Sequence, residues 1–227
     1  MPSTRILAAF DRRLSGALVA FADRRLRQRL GARFALLYAV GIGLTYGIMI
    51  VLLGAGSEPA ARALILRELT TVTWVVGAMV GLSLAADWRR LDGDEGVFGF
   101  LHLRGIAAES LDLARWYAAA RRIALLVAAP TLLCCALAGA RIRSLEAALG
   151  LAGLALATAA YACLIGAGAS SLALAARLLA PTYGRTFLIA VVLLPHAARE
   201  LWPALPSVPA GVAWLIAAVG RAGGAGA

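Results

Sequence analysis

Residues 147–176 read AALGLAGLALATAAYACLIGAGASSLALAA, thirty consecutive positions without a charged side chain. A helix of about 20 apolar residues is long enough to cross a hydrocarbon core about 30 Å thick. Further apolar runs lie on both sides of this one, and the composition, 62% hydrophobic and 15% charged, agrees with a membrane protein. The sequence predicts an all-α, polytopic membrane protein with six transmembrane helices: Arg33–Gly54, Leu66–Ala86, Ile123–Ala140, Ala147–Ala176, Thr186–Leu201 and Val208–Gly220.

The last two predicted spans are short and interrupted by prolines. Pro195 lies within the fifth, Pro203 and Pro206 lie between the two, and Pro209 opens the sixth. Broken backbone at membrane depth is tolerated where protein buries it or where it lines a wet cavity. This region is therefore expected to be an irregular part of the bundle.

Arginine placement predicts the orientation. In the six-span arrangement, 17 of the 22 arginines fall in residues 1–33, 87–122, 177–185 and 221–227, all on one side. Cytoplasmic loops carry such an excess, so both termini and the 87–122 loop are predicted to be cytoplasmic. The chain has no lysine and no asparagine, a bias typical of a GC-rich bacterial genome. We expect a bacterial inner membrane, with the net charge of +10 serving topology and lipid contact and no nucleic-acid partner.

The segment 1–32 is predicted to be an amphipathic interfacial helix that precedes the transmembrane domain, 33–227. Its apolar residues recur every three or four positions: Leu7, Phe10, Leu14, Leu18 and Phe21. Arginines fill most of the other positions. Such a helix rests its apolar side in the acyl boundary and its arginines among anionic headgroups, which makes membrane lipids a partner. The helix can act as a topology anchor, as a contact for a cytoplasmic protein, or as both.

Several chemistries are excluded by absent residues. Without lysine the chain has no phosphate-binding Walker loop and no Schiff-base lysine, so nucleotide hydrolysis would have to occur on another polypeptide. Cys134, Cys135 and Cys163 lie inside predicted spans and lack the spacing of a metal or redox site. The chain is therefore not expected to be an enzyme or to hold a metal or cofactor.

The loop 87–122 is the one long polar interval between spans. Its centre predicts a short helix, in which Val97, Phe98 and Leu101 form one apolar face after a cluster of acidic residues. Gly105 permits a bend before a second helix that starts near Glu109 and runs into the third span. Such an element can present a face to a partner protein, or it can rest on lipid headgroups.

This loop resembles one found in the membrane subunits of type-2 ABC exporters. Between their second and third spans those permeases carry an acidic residue, a glycine, apolar residues, a proline or glycine and then a basic residue. The matching positions here are Glu95, Gly96, Phe98, Leu101, Leu103, Gly105 and Arg115. The resemblance extends to the amphipathic amino terminus and the six-span layout. In size the chain is similar to the small permeases of cytochrome c maturation haem exporters, although its amino-terminal arm is longer and more basic and the family commonly has proline where Gly105 stands.

The resemblance implies a permease subunit of an ABC exporter, working as a homodimer or with a paralogous permease. Its loop would be a coupling helix seated on a separate ATP-binding subunit that holds ATP and Mg. The residues that would carry the coupling are Asp94, Glu95, Gly96, Phe98, Leu101, Arg104, Gly105 and Arg115. The alternative is a membrane scaffold or signalling subunit that the same kind of ATPase drives without moving a solute.

Polar residues within the predicted spans are candidates for a substrate path. These are His196, Tyr161, Ser170 and Ser171. For His196 a hydrogen-bonded residue at a helix kink is the competing interpretation. Two small-xxx-small motifs, Gly43/Gly47 and Gly77/Gly81, allow close helix approach, either within one subunit or between two.

Overall fold

The computed structural model describes residues 12–52, 58–86, 96–141, 144–199 and 201–222. Within these ranges the secondary structure is helical throughout, with no strand, which confirms the all-α prediction. The helices are α1 (Arg12–Gln28), α2 (Leu30–Leu52), α3 (Glu58–Leu84), α4 (Val97–Leu103), α5 (Ala108–Gly139), α6 (Leu145–Leu179), α7 (Gly184–Ala198) and α8 (Val208–Ala222).

Four helices, α2, α3, α5 and α6, are long and apolar enough to cross a bilayer. They contain 23, 27, 32 and 35 residues. Alanine and leucine dominate them, both strong helix formers, and a helix satisfies its own backbone hydrogen bonds in lipid. The prediction of a membrane protein is confirmed to this extent.

The four long helices form one bundle whose two ends can be told apart. At one end, called here the basic end, Arg122 of α5 donates to the carbonyl oxygen of Ala32 at the start of α2, over 3.2 Å. Arg177, near the end of α6, also lies at this end, where it bonds Asp112 of α5. The opposite end, called the far end, holds the start of α3 with Arg62 and the turn at Arg141 between α5 and α6.

Glycines set the closest helix contacts inside the bundle. A Cβ at Gly43 of α2 would lie 2.7 Å from the Cβ of Pro130 in α5, and one at Gly47 would lie 3.2 Å from Leu137. A Cβ at Gly166 of α6 would clash with the carbonyl oxygen of Ala120. The Gly43/Gly47 motif therefore serves packing within one chain, one of its two predicted uses.

The helix α1 packs against protein along one side. Its Ala22 lies against Ala114 and Ala118 of α5, and all three are buried. Phe21, from the predicted lipid-facing stripe, is exposed on another side of the helix. Leu7 and Phe10 of that stripe lie outside the described residues. One side of the predicted interfacial helix thus packs on protein: α1 follows α5 because small alanines allow the two backbones to approach.

The short helices α7 and α8 depart from the predicted fifth and sixth spans. Each has 15 residues, which at about 1.5 Å per residue is about 22 Å, less than the hydrocarbon core of about 30 Å. The helix α7 starts at the basic end, where a Cβ at Gly184 would lie 2.6 Å from the carbonyl oxygen of Ala85. The helix α8 finishes at the far end, where Arg62 donates to the carbonyl oxygen of Gly220 over 3.1 Å.

The residues 184–220 therefore traverse the bundle once, as a helix, a proline-containing connection and a second helix. Six complete crossings would put Gly220 at the basic end, across the bundle from Arg62, so the number of six spans is not confirmed. The physical reason is length, since neither α7 nor α8 is long enough to cross alone. The carboxyl-terminal segment predicted to be cytoplasmic is 221–227; the structure describes Arg221 and Ala222 of it, and residues 223–227 lie outside the described residues.

Candidate functional site: the basic end of the bundle

The helix α4 lies between α3 and α5, where the sequence predicts a short helix. It has seven residues and stands between two glycines with left-handed backbone, Gly96 (φ 68°) and Gly105 (φ 65°). Its end is capped by hydrogen bonds from the amides of Arg104 and Ile106 to the carbonyl oxygen of Leu101, at 3.1 and 2.9 Å. The bond from Ile106 belongs to a Schellman cap, which uses a glycine at the position of Gly105. The predicted bend at Gly105 is confirmed.

Two leucines of α4 have opposite environments. Leu101 is 4% exposed and packs within the chain, whereas Leu103 is 86% exposed. Leu101 is therefore covered by other residues of this chain, whereas the sequence suggested a free anchor for a partner. Arg104 and Gly105 are exposed beside Leu103. The predicted contacts Asp94 and Glu95, and the side chain of Phe98, lie outside the described residues.

Arg115 also differs from its predicted role at a partner surface. It is buried in α5, and its Nη1 donates to Asp112 Oδ1 over 3.3 Å. The same carboxylate oxygen accepts a bond from Arg177 Nη2 of α6. Two buried guanidinium groups thus share one carboxylate, and the cluster joins α5 to α6 at the basic end.

A second carboxylate, Asp23 of α1, collects arginines at the same end. Its oxygens lie 2.5 Å from Arg27, 3.7 Å from Arg121 and 4.0 Å from Arg122. Asp23 is buried, whereas the side chains of Arg27 and Arg121 remain about half exposed. This cluster joins α1 to α5 at the basic end.

The four candidates for a substrate path do not converge on one passage. Tyr161 is buried and donates to Thr73 Oγ1 over 3.1 Å, and Ser170 is buried and donates to the carbonyl oxygen of Gly166 over 2.6 Å. Ser171 is exposed and accepts from the indole nitrogen of Trp116. His196 is exposed on α7 and borders an open cavity of about 540 Å³. Tyr161 and Ser170 are satisfied packing residues in this arrangement.

Sequence reasoning missed a buried carboxyl group, Glu68. It is fully buried in α3, and its Oε2 accepts from Thr131 Oγ1 of α5 over 2.6 Å. Its other oxygen, Oε1, has no hydrogen-bond partner among the described residues. Its spacing could have indicated burial: Glu68 follows Ile65 by three residues and precedes Val72 by four, which places it on the inward face of α3.

Comparison with known protein families, with curated proteins and with solved structures found no match. Within the described residues, no group of three or more histidine, cysteine and acidic side chains is arranged to hold a metal ion.

Proposed function

We propose that this chain is the membrane subunit of an ABC transporter, an exporter, and that its basic end receives a separate ATP-binding subunit. The observation that carries the proposal is α4, a short helix between the second and third long helices of the described chain. It contains buried Leu101, is framed by two left-handed glycines, and offers exposed Leu103 and Arg104 to a partner.

The surroundings of α4 suit the transmission of a mechanical input. The Asp112 cluster joins the start of α5 to the end of α6, and the Asp23 cluster joins α1 to α5. A force on α4 would reach α5 through the four residues from Arg104 to Ala107. Binding energy at the surface could in this way shift the population of two arrangements of the bundle.

The orientation supports the same proposal. Of the 22 arginines, 16 lie in the segments 1–33, 87–122 and 177–185, and the described parts of these segments meet at the basic end. The positive-inside rule assigns this end to the cytoplasm, where ATP is available to a soluble subunit. The bacterial inner membrane and a homodimer or paralogous pair of permeases are parts of the proposal. ATP and Mg belong to the partner subunit.

The test compares two leucines of equal exposure. Leu103→Glu in α4 introduces a charge at the proposed contact, and Leu201→Glu, at a leucine that is 88% exposed between α7 and α8, is the matched control. Tagged chain purified from native membranes should retain Mg-dependent ATP hydrolysis. Leu103→Glu should reduce the retained activity at least about tenfold, since a lost hot spot typically costs about 2 kcal/mol. The control should retain it.

Three results separate the alternatives. Absence of co-purifying ATP hydrolysis from the unmodified chain, or full retention by Leu103→Glu, contradicts the proposed contact. Hydrolysis that persists in reconstituted vesicles without ATP-dependent movement of any candidate solute favours the scaffold or signalling subunit. Hydrolysis coupled to solute movement supports the transporter.

A further inference from the structure

The helices α1 and α5 enclose an open cavity of about 980 Å³ at the basic end. Its walls combine apolar side chains with two aromatic ones. The apolar part includes Leu18, Val19 and Leu113, and the aromatic part is Trp116 and Tyr117. Tryptophan and tyrosine are enriched where membrane proteins meet the bilayer interface, because their rings are amphipathic.

The cavity also carries an excess of positive charge. Asp23 is the one carboxylate among the described residues that line it, and Arg24, Arg27 and Arg121 line it as well. Arg122, which is outside the lining, lies 4.0 Å from Asp23. Among the described lining residues, one carboxylate thus stands against three guanidinium groups. The half-exposed side chains of Arg27 and Arg121 can still reach an external anion.

An apolar surface leads from this cavity along α5. Leu113, Tyr117, Arg121, Leu125 and Leu133 are spaced in multiples of four residues and are all exposed. Residues four apart are neighbours on a helix surface, and each such step turns by about 40°, so the row winds around α5. Arg121 thus lies between exposed Tyr117 and exposed Leu125 in this row.

We propose that this cavity is a binding site for an anionic phospholipid. Arg24 and Arg121 bind the phosphate, Tyr117 and Trp116 pack against the headgroup region, and the acyl chains begin along Leu125. Arginine suits this task because its guanidinium matches phosphate oxygens with paired donors. Basic pockets between helices at the cytoplasmic side of membrane proteins bind lipid headgroups by this chemistry. The apolar face above Arg121 favours a lipid over free phosphate. The inference does not depend on the transport proposal.

The experiment measures lipid binding to the delipidated, detergent-solubilised chain by native mass spectrometry. Dioleoylphosphatidylglycerol should bind more tightly than dioleoylphosphatidylcholine, and inorganic phosphate should compete poorly. Replacing both arginines, Arg24→Gln with Arg121→Gln, should weaken phosphatidylglycerol binding about thirtyfold, if each arginine near the headgroup contributes about 1 kcal/mol. Binding of phosphatidylcholine should fall less, because its choline group already balances the phosphate charge.

The matched control is Arg67→Gln with Arg141→Gln, two exposed arginines near the far end. This pair should keep the preference for phosphatidylglycerol. Equal binding of the two lipids by the unmodified chain would overturn the proposal without any variant. Full displacement of phosphatidylglycerol by inorganic phosphate would indicate a site for a free anion. An undiminished preference for phosphatidylglycerol in the Arg24/Arg121 variant would show that the lipid binds elsewhere. Either result overturns the assignment.

Discussion

Glu68 and Thr131 form a 2.6 Å hydrogen bond between α3 and α5, with both residues fully buried inside the bundle. Thr131 donates through Oγ1 to the carboxyl oxygen Oε2, and it also bonds the carbonyl oxygen of Val127 in its own helix. The bond joins positions 63 residues apart. It is the polar contact that links α3 and α5 deep in the apolar core.

Removing one partner of this pair should cost more than removing both. Thr131→Val leaves a buried carboxyl group unsatisfied, which typically costs about 1–3 kcal/mol. Glu68→Leu combined with Thr131→Val replaces both polar groups by apolar ones of similar size and should be nearly neutral. Thermal unfolding in detergent would measure both, as a double-mutant cycle. Additive losses would contradict the coupling.

The pair also illustrates what the sequence could and could not predict. Long apolar runs predicted α2, α3, α5 and α6, because about 20 apolar residues in a row have few other uses. The predicted second span began at Leu66, which put Glu68 at its edge, whereas α3 begins at Glu58 and carries Glu68 well inside. Its partner Thr131 is set by tertiary packing, which a local pattern does not contain.

The same limit applies at the basic end. Spacing predicted the apolar face of α4 and the bend at Gly105, but it could not distinguish Leu101, which the bundle covers, from exposed Leu103. The contact between Arg62 of α3 and Gly220 of α8 joins two residues that are 158 positions apart in the sequence. The sequence could not predict this contact, because the positions of prolines indicate that a helix is interrupted but not in which direction the chain continues.

Asp112→Asn should destabilise the junction of α5 and α6. Arg177 is 3% exposed and bonds this carboxylate, so the substitution leaves a buried guanidinium without its counter-charge. Breaking a buried ion pair in this way typically costs about 3–5 kcal/mol. Thermal unfolding should detect the loss. Asp112→Asn with Arg177→Met should recover part of the stability, and no recovery would contradict the pairing.

Substitution of two glycines in α2 should have opposite effects. Gly43→Ala places a Cβ 2.7 Å from the Cβ of Pro130, so α2 and α5 must separate, and the melting temperature should fall. Gly41→Ala meets nothing within 4 Å and should raise stability slightly, by up to about 1 kcal/mol of helix propensity. Equal effects of the two substitutions would contradict the close approach at Gly43.

Limited trypsin digestion should report the docking of α4. Leu101→Ala removes a buried side chain, which typically costs about 2–5 kcal/mol, so α4 should detach more often and expose the bond after Arg104. Cleavage there should accelerate several-fold. Leu103→Ala should leave the cleavage rate unchanged, because its side chain is exposed. If Leu103→Ala accelerated cleavage and Leu101→Ala did not, Leu103 would be the residue that secures α4, and the prediction would be contradicted.

The path of α7 and α8 can be decided by labelling single cysteines from one side of the membrane. In a Cys163→Ala background, Arg221→Cys should react with a membrane-impermeant maleimide from the same side as Arg141→Cys. The reason is that Arg62, near the start of α3, bonds Gly220 and so brings the end of α8 to the far end. Glu109→Cys, at the start of α5, should react only from the opposite side.

Two complete crossings by α7 and α8 would instead make Arg221→Cys react together with Glu109→Cys. The buried Cys134 and Cys135 provide no background signal in the folded chain, so the parent without an added cysteine serves as the control. Labelling of Arg221→Cys from the Glu109 side would support the six-span arrangement and contradict the contact between Arg62 and Gly220.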